Sequence, residues 1–184
     1  MSYPGSHREP RPVSGSDERE QALMRRIGER DRQALEELYV IYHRRLARFL
    51  TRLIRDYDLA QEIINDTLFI VWQRAQQFRG ASRVSTWIMG IAYRRALKSF
   101  RRVSTEPLTE DLALPAHDAI EEVDLQQLCA HALVTLPLEQ RLTLELTYYL
   151  GYSCEEIAVI MGCPVNTVKT RMFHARRKLR ALLE

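Results

Sequence analysis

Apolar side chains recur along the first half of this chain at intervals of three and four residues, which is the period of an amphipathic helix. They form three successive stripes, over residues 35–53, 60–78 and 87–100, and each stripe predicts a helix. A break at Gly80 predicts a short basic loop over residues 78–85. No proline lies between Pro12 and Pro107, and so long a stretch without proline favours helices over a turn-rich β fold.

Two regions lack this helical period. Residues 1–16 combine prolines, glycines and charges, which predicts a disordered tail, and ordered structure is expected to begin near Ser16. Residues 103–120 are acidic and contain Pro107 and Pro115, which predicts a flexible linker. The predicted fold class is therefore all-α, with two small helical domains over residues 17–102 and 121–184 joined by this acidic linker.

The C-terminal domain carries the pattern of a helix-turn-helix. Residues 123–136 predict one helix, and Pro137 suits the first turn of another that ends at Gly151. Ser153 and Glu156 have the spacing of a capping box at the start of a short third helix. Gly162 predicts its left-handed end, and Pro164 suits the first turn of a long final helix. Two helices joined by such a short turn form the DNA-binding helix-turn-helix motif.

One face of the predicted final helix suits DNA. At 100° per residue, Val168, Met172 and Ala175 share an apolar side with their helical neighbours, and polar residues cluster opposite them. Lysine and asparagine side chains can hydrogen-bond base edges, and basic residues attract phosphates. Phe173 is a large apolar group on this polar face, which leaves two interpretations: contact with a base, or packing against a neighbouring helix.

The charged residues form separate blocks, although the net charge of the 184 residues is only +3. Residues 79–102 contain basic but no acidic side chains, and residues 165–184 are predominantly basic. Residues 56–66 and 104–127 contain acidic side chains but no lysine or arginine. Such separation favours distinct surfaces for anionic and basic partners over a uniformly solvated exterior.

Several classes of protein are not expected from this sequence. The longest apolar run, residues 68–72, is too short to cross a membrane, and no apolar segment follows the first basic residues as in a Sec signal peptide. We therefore expect a cytoplasmic protein. Cys129, Cys154 and Cys163 have neither C-x-x-C spacing nor a second ligand pair, and catalytic sequence motifs are missing. We expect no catalytic site, metal or cofactor, with a redox or metal switch through these cysteines kept as an alternative.

The motifs together resemble a sigma-70-family factor of the extracytoplasmic-function (ECF) group. The resemblance to its fourth domain is carried by LPLEQR at 136–141, GYSCEEIA at 151–158 and PVNTVKTR at 164–171. The resemblance to its second domain is carried by DLAQE at 58–62, FRG at 78–80, STWI at 85–88 and IA at 91–92. It covers about residues 20–184. The chain departs from the common pattern at Arg94, where many relatives carry Asn, and at Asn166, where many carry Gly.

The resemblance implies a protein that binds core RNA polymerase, through the β′ clamp and the β subunit, and directs it to promoter DNA. It implies an anti-sigma factor as a further partner. The implied polymerase-binding residues are Asp58, Gln61, Glu62 and Asp66. Those implied for the −35 element are Asn166, Lys169, Thr170, Arg171, Phe173, His174, Arg176 and Arg177. Those implied for the −10 element are Arg79, Ser82, Arg83, Ser85, Thr86, Arg94, Arg95, Lys98 and Arg101.

Two alternatives stay open at this point. Trp87 follows the −10 loop and could stack on an unpaired base, or it could belong to the core, because it lies on an apolar stripe. A stand-alone helix-turn-helix regulator would explain the C-terminal domain equally well. It would not explain the acidic block at residues 56–66 or the basic block at residues 79–102.

Overall fold

The computed structural model describes residues 15–54, 56–103, 132–133 and 135–183, and its regular elements there are all helical. The longer helices are α1 (Gly15–Gly28), α2 (Arg32–Leu50), α3 (Tyr57–Arg74), α4 (Val84–Val103), α5 (Leu138–Tyr148), α6 (Cys154–Met161) and α7 (Val165–Leu183). A 3₁₀ turn, Ala75–Gln77, follows α3. The all-α prediction is therefore confirmed. The linker, residues 1–14, Cys129 and most of the helix predicted over 123–136 lie outside the described residues.

The described residues divide into two compact units, one up to Ile88 and one from Met89 onward. The division falls within α4, so the two ends of this helix belong to different units. The expected domain bounds, 17–102 and 121–184, stay a prediction.

The N-terminal unit contains α1, the first two predicted stripes and the start of α4. The stripe on α3 is buried as predicted, with Ile64 and Val71 fully enclosed. On α2, Leu38 and Leu46 are also fully buried. Tyr39 was expected in the same stripe, but it is 39% exposed and its ring stacks on His43 at 5.3 Å between centroids. The α2 stripe is thus narrower than the sequence pattern suggested.

Aspartates begin both α2 and α3. The Asp31 carboxylate accepts hydrogen bonds from the backbone N–H groups of Gln33 and Ala34, and Asp56 caps α3 in the same way. The Arg26 guanidinium hydrogen-bonds Asp31 across the turn, with 2.7 Å between Nη2 and Oδ2, and this contact lowers the pKa of the carboxyl. One member of the acidic block, Asp56, therefore has a structural role.

A buried acidic residue joins α1 to α2. Glu20 is 3% exposed, and its carboxylate accepts hydrogen bonds from the Tyr42 hydroxyl at 2.5 Å and from Arg45 Nη1 at 2.9 Å. Burial of a carboxylate without such partners would be strongly unfavourable. Ser16, expected near the start of ordered structure, lies in the first turn of α1, which begins at Gly15.

The C-terminal unit contains the predicted helix-turn-helix, formed by α6 and α7. Ser153 and Glu156 make both hydrogen bonds of the capping box, and Gly162 ends α6 at φ 64°. Pro164 immediately precedes α7, where its carbonyl accepts the N–H of Thr167 at 2.9 Å. The preceding helix, α5, ends at Tyr148, before the predicted end at Gly151. The capping box and the left-handed glycine are confirmed.

The apolar side of α7 faces the core of this unit. Val168 and Ala175 are fully buried, and Met172 is 6% exposed. Met172 and Ala175 form a cluster with Leu136 and Leu144. Leu182, further along the helix, is 51% exposed. The core therefore fixes one side of α7 and leaves the opposite side available.

We predict that Gly162→Ala lowers the free energy of unfolding of the C-terminal unit by about 1–2 kcal/mol, because a Cβ disfavours a left-handed backbone. No heavy atom lies within 4 Å of the added Cβ, so backbone strain is the only cost. Gly162→Asn should lose less, because asparagine tolerates this conformation. Urea unfolding followed by circular dichroism measures both variants.

An internal control comes from tryptophan fluorescence. Both tryptophans of the chain, Trp72 and Trp87, lie in the N-terminal unit. Their unfolding transition should not move in either variant. Equal stability of Gly162→Ala and the wild type would contradict the assigned role of the left-handed turn.

Candidate nucleic-acid and polymerase interfaces

The outer face of α7 presents polar and aromatic side chains to solvent. Of the residues that the sequence assigned to −35 recognition, the exposed ones are Asn166, Lys169, Thr170, Phe173, Arg176 and Arg177. His174 is half-buried. The Thr170 hydroxyl donates a hydrogen bond to the carbonyl of Asn166 at 2.9 Å. We call this outer surface of α7 the recognition face.

Phe173 lies on the recognition face and outside the core. Its side chain is 61% exposed, and its ring is bordered by His174, 5.5 Å away between centroids, and by the Arg177 guanidinium at 5.9 Å from the ring centre. The ring is therefore not packed between the described helices, which argues against the second interpretation. Contact with a base stays a prediction. An exposed ring beside a guanidinium can contact a base while the guanidinium contacts the phosphate backbone.

Two basic residues of α7 are held by neighbours from α5. The Arg176 guanidinium lies over the exposed Tyr148 ring, 5.6 Å from its centre. Arg171 makes an ion pair with Glu139, and its Nη1 lies 3.5 Å from Cys163 Sγ. Its side chain is only 20% exposed. Tyr148 and Glu139 were not singled out in the sequence, because nothing local indicates contacts across so many residues.

The residues predicted for the −10 element lie between the end of α3 and the last turn of α4. The predicted loop is shorter than expected, because α4 begins at Val84. Arg79, Arg94 and Lys98 are exposed, and Ser82, Arg83, Ser85 and Arg95 are half-buried. Arg101 lies in α4, but its side chain is outside the described residues.

Three features of this region were not apparent from the sequence. Thr86 falls in the first turn of α4 and is 1% exposed, so its side chain is not at the surface. Arg83 makes an ion pair with Asp17 of α1, with 3.3 Å between Nε and Oδ2. Trp87 is half-buried, and its ring lies 5.4 Å from Phe78 at a tilt of 53°. Phe78 and Trp87 thus form an aromatic pair at either end of the loop.

An acidic, solvent-facing surface lies at the start of α3. Asp58 and Glu62 are exposed, while Gln61 and Asp66 are half-buried. His43 Nε2 on α2 lies 3.2 Å from Gln61 Oε1 and holds that side chain in place. Exposed carboxylates of this kind attract a basic partner.

Neither a metal site nor a disulfide is found among the described residues. They contain no group of three or more His, Cys, Asp or Glu side chains placed to hold a metal ion. Cys154 and Cys163 are free thiols, both half-buried, and burial together with nearby Glu155 raises the pKa of the Cys154 thiol.

Within the described residues, none of the helices has the length and apolar character needed to cross a lipid bilayer.

The described residues thus combine a helix-turn-helix with an exposed acidic surface, which fits a class of protein that contacts both DNA and a basic partner. Comparison with known families gives a match to the sigma-70 region 2 model over residues 38–105 and to the sigma-70 region 4 model over residues 127–179. The chain therefore belongs to the sigma-70 family, in its ECF group. Sigma factors are non-catalytic transcription initiation factors.

Individual relatives agree with this assignment. The chain is 28% identical to the ECF RNA polymerase sigma-E factors of Escherichia coli K12 and Salmonella typhimurium LT2, over 87% of this chain and 92% of theirs. The Haemophilus influenzae sigma-E factor is also 28% identical, with 93% of its length covered.

Solved structures show the same fold. The sigma factor RpoE from Bartonella quintana, in complex with the anti-sigma factor NepR, is 28% identical with a TM-score of 0.61, over 80% of this chain and 95% of that one. CnrH, in complex with the cytosolic domain of CnrY, has a TM-score of 0.68 at 21% identity, over 90% of this chain and 97% of that one.

We predict that Phe173→Ala weakens binding of the polymerase–sigma complex to its promoter about tenfold, the size of one good base contact. The free energy of unfolding should change by less than about 0.5 kcal/mol, because the ring is exposed. Leu182→Ala is the matched control, because it removes another exposed apolar side chain from α7. Promoter binding that is lost equally in both variants would show that Phe173 has no specific role.

Proposed function

We propose that this chain is an ECF sigma factor that binds core RNA polymerase and directs transcription initiation at promoters with defined −35 and −10 elements. The observation that carries this proposal is that the chain has two exposed surfaces of different chemistry. The recognition face of α7 is basic and aromatic, whereas the start of α3 is acidic. A protein that must hold DNA and a basic protein surface at the same time needs both.

The recognition face is proposed to read the −35 element. In this proposal Lys169 and Asn166 hydrogen-bond base edges, and Phe173 contacts a base. Arg176 and Arg177 contact phosphates, and such contacts fix the position of the helix without reading sequence. Because Lys169 is exposed beside Thr170 and Phe173, its loss should alter sequence preference more than overall DNA affinity.

The loop before α4 and the exposed basic residues of α4 are proposed to hold the −10 element. Arg79, Arg94 and Lys98 supply positive charge along the path of the DNA. The Phe78–Trp87 pair borders the loop, and aromatic rings of this kind can support an unstacked base. Arg83 joins this surface only if DNA competes with Asp17 for its guanidinium.

Asp58 and Glu62 are proposed to dock onto the polymerase, with Gln61 held beside them by His43. The family likeness supports the β′ clamp as the basic partner. The relative from Bartonella quintana is held by an anti-sigma factor, which supports control of the present chain by a partner of the same kind. Because the proposed function is exerted on promoter DNA, we expect the protein in the cytoplasm. This function requires no catalytic step by the protein itself.

A stand-alone helix-turn-helix regulator is the main alternative. It would use α6 and α7 in the same way, but it would have no use for the exposed carboxylates of α3. The match to sigma-70 region 2 over residues 38–105 also favours the sigma-factor assignment over this alternative.

The proposed function is tested by run-off transcription with core polymerase on fragmented host DNA, followed by mapping of the start sites. We predict transcripts whose start sites share one pair of upstream elements. Glu62→Lys should reduce all of these transcripts together, because it places a positive charge on the surface proposed to meet a basic partner. Lys178→Glu, which reverses an exposed charge near the end of α7, controls for charge reversal and should preserve core binding.

Absence of promoter-directed transcripts with an active core enzyme would contradict the proposed function. Transcripts that Glu62→Lys leaves unchanged would instead contradict only the docking role of α3.

A further inference from the structure

Arg171 connects three parts of the C-terminal unit. Its Nη2 contacts Glu139 Oε2 in the first turn of α5, and its Nη1 lies 3.5 Å from Cys163 Sγ in the turn between α6 and α7. Arg171 itself is on α7. This one side chain therefore links α7 to the turn that precedes it and to α5.

The location of Arg171 separates it from the recognition face. Its side chain is 20% exposed, whereas Thr170 beside it is exposed and Met172 on its other side is 6% exposed. Arg171 lies at the border between the outer and the core side of α7. Its guanidinium charge is directed toward α5, where the Glu139 carboxylate is 55% exposed.

Arginine suits this position for a geometric reason. The guanidinium carries several N–H donors in a rigid plane, so two of its nitrogens can serve two partners at once. Here Nη1 and Nη2 are used for the turn and for α5 respectively. The ammonium of a lysine is a single flexible point charge and could not hold both contacts in a fixed orientation.

We infer that Arg171 is a positioning residue for promoter recognition, and that Glu139 and Cys163 hold α7 at the angle and depth at which its recognition face meets the −35 element. This inference rests on the proposed function. It assigns to Arg171 a role distinct from the direct DNA contact that the sequence resemblance implies.

The two roles predict opposite effects for Glu139→Gln. If Arg171 contacts phosphate, removal of the carboxylate leaves an unpaired cation near DNA, and transcription from all promoters rises. If Arg171 positions α7, the same change loosens the helix and weakens only the contacts that depend on the −35 element.

The experiment uses the full-length chain with core polymerase and two templates that differ only in whether the −35 element is present. The readout is the ratio of transcription from the two templates, which a general loss of folded protein leaves unchanged. For Glu139→Gln we expect this ratio to fall about threefold, the size of a partly exposed charged pair. Arg171→Lys keeps a cation opposite Glu139 and loses only the contact with Cys163, so it should lower the ratio less, to within about twofold of the wild type.

A charge swap completes the test. The double variant Glu139→Arg with Arg171→Glu re-forms an ion pair between α5 and α7, so it should restore the ratio to within about twofold of the wild type. If Arg171 contacts DNA directly, the swap places a carboxylate against phosphate and lowers the ratio further. Lys178→Gln removes one positive charge from an exposed position and should lower transcription from both templates alike.

A ratio that is unchanged in Glu139→Gln, or that the swap fails to restore, overturns the positioning role. Equal loss from both templates in every variant, with helical content intact by circular dichroism, also overturns it. If the wild type shows no dependence on any −35 element, the proposed function itself fails.

Discussion

The proposed DNA-binding surface depends on packing one side of α7 firmly against the core while its opposite side stays exposed to solvent. Val168, Met172 and Ala175 anchor the helix to the core, and on the opposite side Phe173 remains 61% exposed. The anchor works only if α7 enters at a fixed angle, to which the left-handed Gly162 at the end of α6 contributes. If the core side of a recognition helix were poorly packed, the helix could not keep several side chains in register with DNA.

Charge follows from the same constraint. The net charge of +3 is small because the basic blocks of the sequence are offset by acidic ones. Some basic residues predicted to face DNA are also paired within their own unit, Arg83 with Asp17 and Arg171 with Glu139. Such pairing reduces the attraction of the free chain for arbitrary DNA. That is the behaviour required of a protein that acts on promoters through polymerase.

Features set by neighbouring residues were predictable from the sequence. The capping box joins Ser153 to Glu156, and Gly162 ends the helix within the same short segment. Contacts between distant residues were not, because Arg171 and Glu139 are separated by 32 positions and neither carries a local signal. The burial of Thr86 was missed for a related reason, since it depends on where α4 begins and on the helices packed around it.

The central claim is that DNA recognition by this chain requires polymerase. The direct measurement is equilibrium binding of the labelled full-length chain to core polymerase, to a promoter duplex, and to both together. We predict that the chain binds core polymerase tightly, and that it binds the duplex sequence-specifically only when core polymerase is present. Tight sequence-specific binding of the free chain to the duplex, without affinity for core, would contradict it.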